Sequence, residues 1–316
     1  MAGAETIELD GQYRALREEA GFVHREGRAH LEATGPDAAE YLEGQLTNEV
    51  EALGPGEGAY AALLDRKGHM QGDLRVLRID SDVLWLDLEP EALAPVLRHL
   101  SMYKVGRDAE VAERTAERAL VSVIGPGAAR VTGAPPPRAE GAHGDLDVGG
   151  VSCRAVATDL GVDLICAAAD ADALRTALEA AGAAEVGEDA AEILRVESGR
   201  PRFGREMTAE TIPQEAGINE RAVSFTKGCY IGQETVARLH YRGKPNRHLR
   251  GLRPERPVTA GDEIVAGEKV VGKVATAVLS PDRGPLALAI VRREAEPGTT
   301  VSVGGDVSAL VVELPF

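Results

Sequence analysis

Eight residues in the last third of the chain combine a thiol with groups that could activate it. The stretch reads Lys227-Gly228-Cys229-Tyr230-Ile231-Gly232-Gln233-Glu234. Apolar residues at near-helical spacing follow, at Ile231, Val236 and Leu239, and they predict that Cys229 lies at or near a helix N-terminus. The helix dipole and Lys227 would both favour the thiolate, which is the nucleophilic and metal-binding form. A buried cysteine that only fills space under a turn is an equally open interpretation.

A basic segment follows the cysteine motif. It contains Arg238, Arg242, Lys244, Arg247, Arg250, Arg253 and Arg256, with Glu255 as its only acid. Guanidinium groups bind carboxylates and phosphates in a bidentate manner. Because the whole chain has a formal net charge of −16, we expect most of these residues to pair with the protein's own acids. Those nearest the cysteine, such as Arg242, are predicted to bind an anionic ligand, and RNA is the rival anion.

Glu197 is a third candidate, at the end of a predicted helix over Asp189–Val196. A carboxylate there could accept two parallel N–H bonds from a 2-amino-4-oxo-pyrimidine edge. The alternative is an ion pair with Arg195 or Arg200. Residues 202–222 are predicted to be largely irregular, and so long a loop in a compact domain is usually functional. Because this loop runs directly into the cysteine segment, it is predicted to line the same cavity.

The elements that must position these residues indicate an α+β protein with internal repetition. An acidic lead-in precedes a strand near Arg28–Glu32 and a helix after Pro36. A strand–helix–strand–strand–helix unit is predicted twice, because 125–129 resembles 35–39 in sequence and the strand and helix patterns recur. The run Gly133-Ala134-Pro135-Pro136-Pro137 between the copies predicts a stiff exposed loop. A chance echo in Ala-rich sequence is the alternative.

From about residue 247 short Val-rich runs alternate with Gly, Pro and Asp, which predicts a small all-β barrel.

Three cysteines without a Cys-x-x-Cys pair favour a reducing, cytoplasmic environment and argue against a disulfide framework or a resident metal site. No apolar run reaches the ~20 residues of a membrane span. The N-terminus lacks a basic and apolar signal region, so export is not expected. The net charge argues against a general nucleic-acid or membrane-surface binder.

The cysteine octapeptide resembles the motif of the YgfZ family, which comprises folate-binding relatives of the glycine-cleavage T protein. Four further segments are similar to the same family in the same order. They are Gln45-Leu46-Thr47-Asn48, Asp65-Arg66-Lys67-Gly68, Arg195-Val196-Glu197-Ser198-Gly199 and Ile212-Pro213-Gln214-Glu215-Ala216.

The resemblance implies a three-lobed architecture of two similar α+β lobes and a C-terminal β-barrel. The predicted domains are 1–115, completed by 200–245, then 116–199, and finally 246–316. The resemblance implies that tetrahydrofolate contacts Glu197, Asp73, Asn48, Gln233 and Arg242. If the anion site at Arg242 is used, the folate would be polyglutamylated. Cys229, assisted by Lys227, would carry the indispensable chemistry, which is the assembly or repair of iron–sulfur proteins through client or assembly partners.

One departure keeps the activity open. T proteins carry adjacent aspartates where this chain has Gly72-Asp73, so only half of that pair is present. The alternatives to the iron–sulfur function are a folate-dependent aminomethyltransferase, which is a one-carbon transferase in the strict sense, and an accessory protein of tRNA modification.

Overall fold

The structure is a computed structural model, and it describes residues 2–134 and 139–316, with side chains from residue 8 onwards. The prolines at 135–137, predicted to lie in an exposed loop, fall outside the described residues. Two compact units are present. The first comprises 1–63, 72–191 and 226–230, and the second comprises 64–71, 192–225 and 231–316. The domain boundaries expected at 115/116, 199/200 and 245/246 stay predictions.

The first unit begins with elements that the sequence did not predict. Helix α1 (Ala2–Glu18) and strand β1 (Gly21–His24) occupy the region expected to be an acidic lead-in. The lead-in prediction was wrong because the apolar residues of α1 are sparse, although Tyr13 and Leu16 are fully buried.

The first repeat forms a five-stranded sheet. Its elements are β2 (Ala29–Thr34), α2 (Ala38–Gln45), β3 (Gly58–Leu64), β4 (Met70–Asp80), β5 (Val83–Leu88), α3 (Pro90–Met102) and β6 (Glu110–Glu113). The strand order is β3-β4-β5-β2-β6. Alternate residues of β4 are buried, as expected for a strand with a helix on one face.

The second repeat forms a six-stranded sheet. Its elements are β7 (Arg118–Ile124), α4 (Ala128–Thr132), β8 (His143–Val148), β9 (Val151–Ala157), β10 (Gly161–Ala167), α5 (Ala171–Ala180) and β11 (Ala184–Glu185). The strand order is β11-β1-β7-β10-β9-β8, so the N-terminal strand β1 lies between the first and last strands of this repeat.

Both repeats turn into their first helix in the same way. Gly35 and Gly125 have φ values of 114° and 116°, which favour glycine. Each amide donates a 3.0 Å hydrogen bond to a carbonyl of the strand connection opposite, Asp82 for Gly35 and Leu160 for Gly125. The predicted repetition is therefore confirmed, and each copy has three strands between its two helices and a further strand after the second helix.

The two sheets pack face to face within the first unit. Leu77, Leu120, Val156 and Ile165 form a shared apolar cluster. Beside it, Arg75 joins the sheets by an Nη1–Asp163 Oδ2 contact of 2.5 Å, while its Nε and Nη2 both donate to Asp87 Oδ2. These contacts of Arg75 link the first sheet to the second.

The second unit consists of helices followed by a barrel. The helices are α6 (Glu188–Glu197), α7 (Pro213–Ala216), α8 (Asn219–Ala222) and α9 (Gln233–Arg242). The strands are β12 (Arg247–Pro254), β13 (Glu263–Ala266), β14 (Lys269–Lys273), β15 (Thr276–Ser280), β16 (Gly284–Arg292), β17 (Thr300–Val303) and β18 (Val307–Val312).

Six strands close the barrel in the order β12-β18-β17-β13-β14-β16, because β16 also pairs with β12, and β15 extends it as an outer strand. Small aliphatic side chains fill the interior, as the scarcity of aromatics requires. The predicted C-terminal β-barrel and the α+β class are confirmed.

Candidate functional site

Cys229 lies in an irregular, exposed segment of the first unit. Helix α9 begins at Gln233, so Cys229 lies near a helix N-terminus, as predicted, but four residues before the first helical residue. Gly232 is the N-cap residue, with φ 85°, and a Cβ there would lie 2.6 Å from the carbonyl oxygen of Asp65. Only glycine fits at that turn, so the motif's second glycine starts the helix and does not flank the thiol.

Lys227 is buried and fastens the cysteine segment to helix α2. Its Nζ donates to the carbonyl oxygens of Glu43, Leu46 and Asn48 at 2.7, 2.9 and 2.8 Å, and it lies 3.1 Å from the Glu43 carboxylate. These carbonyls belong to the C-terminal end of α2, where cations are favoured. Burial lowers the pKa of Lys227, and Glu43 opposes this shift. Lys227 is therefore a helix cap and an anchor, and it was not foreseen in that role.

Asn48 and Asp73 are brought together in the first unit through Tyr60. The side-chain amide of Asn48 donates to the Tyr60 carbonyl at 2.9 Å, and the Tyr60 hydroxyl donates to Asp73 Oδ2 at 2.7 Å. Because Lys227 donates to the Asn48 carbonyl, one chain of contacts connects the cysteine segment with Asp73. Tyr60 is a residue that sequence reasoning missed, because a tyrosine on a half-buried strand carries no distinguishing signal.

Asp73 has the properties of a group that exchanges protons near neutral pH. Burial raises its pKa to about 6, against the opposing effects of the Tyr60 hydrogen bond and Arg28. Its Oδ1 is buried and has no hydrogen-bond partner among the described residues. Arg28 is engaged elsewhere, with Asp87 and Glu89. Asp73 thus presents a carboxyl oxygen that could accept from, or donate to, a ligand.

The position before Asp73 has no space for a second carboxylate. A Cβ on Gly72 would lie 2.7 Å from Ala92 Cβ and 2.9 Å from Val96 Cγ2, both on helix α3. The packing of α3 against β4 therefore requires glycine at this position.

Glu197 ends helix α6 in the second unit and is 4% exposed. Ser280 Oγ donates to its Oε1 at 2.5 Å, and Arg283 Nε lies 3.9 Å from its Oε2. The C-terminal backbone also contacts this residue, because the Phe316 amide donates to its carbonyl at 3.1 Å. Arg195 pairs with Glu192 and Glu206. Glu197 is accordingly a buried carboxylate held in a fixed orientation, and Ser280 is a supporting residue that the sequence did not indicate.

Gln233 and Arg242 lie at opposite ends of α9, and Arg242 is exposed. Three of the seven basic residues pair with the protein's own acids, which is fewer than expected. Arg247 makes a bidentate pair with Glu215 at 2.8 and 2.9 Å, Arg250 lies 3.4 Å from Glu313, and Arg256 lies 2.5 Å from Asp306. Arg238, Arg242 and Lys244 make no ion pair with a described residue. These three cations remain available to an anionic ligand.

An aromatic cluster at the entrance to the cysteine segment was also missed. The rings of Phe225 and His240 stack with centroids 3.8 Å apart, and Tyr241 meets Phe225 edge-on at 6.3 Å. Aromatic residues make up only 3% of the chain, so this concentration could have been noticed. The stack packs Phe225 against helix α9.

Within residues 2–134 and 139–316, no helix is long and apolar enough to cross a membrane. Over the same residues, no group of three or more His, Cys, Asp or Glu side chains is arranged to hold a metal ion.

The fold and these side chains define an α+β protein of the T-protein class. Residues 8–227 match the family model of the GCVT N-terminal domain, and residues 247–316 match that of the glycine cleavage T-protein C-terminal barrel domain. The chain therefore belongs to the glycine cleavage T-protein family. Members of this family bind tetrahydrofolate, so the predicted cofactor is confirmed at the level of the family.

The relatives match nearly the whole of this chain. An aminomethyltransferase from Streptomyces coelicolor is 31% identical, with 96% of this chain and 88% of that protein covered. A putative chloroplastic transferase from Arabidopsis thaliana is 28% identical, with 90% and 68% covered. The crystal structure of glycine cleavage system aminomethyltransferase T from Bartonella henselae has a TM-score of 0.86 at 23% identity, covering 97% of this chain and 89% of that one. This structural likeness shows the shared fold.

Proposed function

We propose that this chain binds tetrahydrofolate and that its Cys229 thiol serves the assembly or repair of iron–sulfur proteins, as in the YgfZ branch that the octapeptide resembles. The observation that carries the proposal is an exposed thiol on a segment anchored next to it by a buried lysine. Four acceptor groups lie within 3.1 Å of the Lys227 ammonium, so this segment is held more firmly than an ordinary surface loop. An accessible thiol at a fixed place suits contact with a client protein or a cluster.

The residues present suit a reduced folate. In the second unit, the buried Glu197 carboxylate matches the paired N–H donors of a pterin edge, and Ser280 keeps it oriented. In the first unit, Asp73 offers a buried oxygen without a hydrogen-bond partner among the described residues, and its other oxygen accepts from Tyr60, whose carbonyl accepts from Asn48. Tetrahydrofolate, when bound, supplies ring nitrogens that accept a one-carbon unit. Asp73 would hold or release a proton at its carboxyl group, and Glu197 would bind and orient the pterin.

The packing at Gly72 favours this function over aminomethyl transfer. The T-protein aspartate pair cannot form here, because α3 occupies the space that a side chain at position 72 would need. A fold retained for folate, with half of the acid pair absent and an exposed thiol added, is consistent with a changed role.

A folate-dependent aminomethyltransferase is the second candidate. The names of its relatives and the raised pKa of Asp73, about 6, both favour it. This activity predicts turnover with an aminomethyl-lipoyl donor and tetrahydrofolate, and loss of that turnover in Asp73→Asn. The iron–sulfur proposal predicts no such turnover.

The decisive experiment uses cells that lack the protein. The activity of cluster-containing enzymes is measured after expression of wild type, Cys229→Ala or Gly228→Ala. Gly228 is a matched control because it is exposed, adjacent, and a Cβ there would contact nothing within 4 Å. Wild type and Gly228→Ala should restore activity and Cys229→Ala should not. Full restoration by Cys229→Ala would overturn the proposal.

The tRNA-modification alternative has its own test. It predicts salt-sensitive tRNA binding that is lost when Arg242 and Lys244 are neutralised. The proposed function predicts that the same double variant leaves restoration of the cluster enzymes unchanged or lowers only the affinity for polyglutamylated folate.

A further inference from the structure

The other two cysteines of the chain face each other across adjacent strands of the second repeat. Cys153 on β9 and Cys166 on β10 are direct partners in the antiparallel register. Directly paired residues of antiparallel strands point to the same face of the sheet. Both side chains accordingly belong to the apolar cluster between this sheet and helix α5, with 3% and 4% exposure.

The register places the two cysteines at a non-hydrogen-bonded pair. Near the start of β10, the Thr158 amide donates to the Gly161 carbonyl at 3.0 Å, so residues 158 and 161 form a hydrogen-bonded pair. Hydrogen-bonded and non-hydrogen-bonded pairs alternate along the ladder. Cys153 and Cys166 are five residue pairs further along the ladder, so they form a non-hydrogen-bonded pair, whose Cα atoms lie about 4.5 Å apart. That distance lies within the range that a disulfide spans, about 4.4–6.8 Å.

The two thiols also interact in the reduced state. Hydrogen bonding from Cys153 lowers the pKa of Cys166, whereas the same hydrogen bond and burial raise the pKa of Cys153. An isolated thiol in an apolar layer would be inert because burial disfavours its thiolate. The two thiols are therefore a coupled pair and not two isolated buried side chains.

The first repeat shows that apolar side chains satisfy this position. Val83 pairs with Thr34 and Gly161 pairs with Ile124, so the equivalent of Cys166, five residues after Gly161, is Leu88. Leu88 pairs with Leu74, as Cys166 pairs with Cys153. Two leucines at this position complete the packing of the first sheet, and two cysteines at the same position of the second add a chemistry that packing does not need.

We propose that Cys153 and Cys166 form a reversible intramolecular disulfide, which makes the second repeat a redox modification site separate from Cys229. A peroxide is the oxidant. The thiolate of one cysteine attacks one peroxide oxygen, forming a sulfenic acid and releasing water, and the thiol of the other cysteine then displaces the hydroxyl as a second water. Two thiol hydrogens and two electrons leave the protein, one S–S bond forms, and one peroxide is reduced. A small-molecule dithiol reverses the step.

The position of the pair on the sheet makes oxidant access reasonable. Strand β9 lies next to β8, which is an edge strand of the sheet. Edge strands open locally more often than central strands. The oxidised pair would then lock β9 to β10 beneath α5 and close a ring that contains residues 153–166.

The test uses the full-length protein with Cys229→Ala, so that exposed-thiol chemistry cannot interfere. The protein is treated with hydrogen peroxide, its remaining thiols are alkylated in urea, and tryptic peptides are mapped without reduction. Cleavage after Arg138, Arg154 and Arg175 puts the two cysteines in different peptides, 139–154 and 155–175. The expected product is these two peptides linked, with the loss of two hydrogens and full recovery by dithiothreitol.

A second readout follows the thermal midpoint. Oxidation should raise it by roughly 4–10 °C, because the ring restricts the unfolded chain, and dithiothreitol should reverse the shift. Cys153→Ala and Cys166→Ala should each abolish both the linked peptide and the shift. Absence of the linked peptide after peroxide, and again after equilibration with glutathione disulfide, would overturn the proposal, as would a link from wild-type Cys229 to either cysteine.

Discussion

The two repeats of the first unit share a backbone plan and differ at equivalent positions of their central strands. The register pairs Leu74 with Leu88 in the first repeat and Cys153 with Cys166 in the second. One residue earlier on the same strand, the half-buried Asp73 of the first repeat corresponds to the exposed Ser152 of the second. The position before that is Gly72 in the first repeat and the buried Val151 in the second.

This difference separates what the fold needs from what the function needs. Both repeats keep the turn at Gly35 or Gly125 and the strand order, so these features serve folding. The half-buried acid and its tyrosine partner have no counterpart at the equivalent position of the second repeat, where Ser152 is exposed. The carboxyl group proposed to exchange a proton with folate therefore belongs to the first repeat, and the second repeat is free to carry a different chemistry.

The largest expected change in the free energy of unfolding comes from placing the second aspartate of the T-protein pair at position 72. Gly72→Asp should lower the free energy of unfolding by about 3–5 kcal/mol, because it inserts a charged side chain against Ala92 and Val96. Urea unfolding of the purified variant measures this. Gly144→Asp is the control, since Gly144 is a strand glycine of the same unit whose Cβ would contact nothing within 4 Å. Equal effects of the two substitutions would show that α3 does not restrict position 72.

Removing the anchor of the cysteine segment should have the next largest effect. Lys227→Met should cost about 2–4 kcal/mol, because it leaves three buried carbonyls and the Glu43 carboxylate without their cation. Thermal unfolding measures the loss, with the exposed Lys67→Met as control. Unchanged stability of Lys227→Met would contradict the anchoring role.

The raised pKa of Asp73 should make the free energy of unfolding depend on pH. Its folded-state pKa, about 6, lies above the ordinary value of 3.8, so the folded chain holds this proton more tightly than the unfolded chain. The resulting stabilisation is complete below the ordinary pKa and is lost as the pH rises through the folded-state value. Asp73→Asn has no carboxyl group to ionise, so the variant does not lose this stabilisation as the pH rises. Relative to wild type, the variant's free energy of unfolding should therefore increase by about 1–3 kcal/mol between about pH 4 and about pH 7. A difference that does not vary with pH would mean that Asp73 is ionised throughout.

The smallest effect is expected at the equivalent position of the second repeat. Ser152→Asp places a carboxylate where the side chain is exposed, so the free energy of unfolding should change by less than about 0.5 kcal/mol. Its pH dependence should match that of wild type. A shift as large as that of Asp73→Asn would show that the two repeats provide similar environments after all.

Much of the fold could be predicted because its signals are local. The turns at Gly35 and Gly125, the helical spacing of α3 and the Val-rich runs of the barrel depend on residues close in sequence. Helix α1 was missed because its few buried residues, such as Tyr13 and Leu16, give little periodicity. The insertion of β1 between β7 and β11 was missed because it depends on pairing between distant segments.

The candidate site was only partly predictable for the same reason. Cys229, Asp73 and Glu197 could be selected by residue type and by resemblance, but their partners could not. Lys227 contacts acceptors about 180 positions away in sequence, and Ser280 reaches Glu197 from a barrel strand. The closeness of Lys227 to Cys229 in sequence suggested activation of the thiol, whereas the structure commits the ammonium to helix α2.

The central claim is that folate binding and thiol chemistry are carried by different residues. Titration of the purified protein with tetrahydrofolate tests it, with wild type, Glu197→Gln and Cys229→Ala compared and Glu215→Gln as a buried-carboxylate control. Glu197→Gln should weaken binding by about tenfold or more, because it removes a charge-assisted bidentate contact. Cys229→Ala and Glu215→Gln should bind like wild type. Equal loss of affinity in Glu197→Gln and Cys229→Ala would contradict the division of roles.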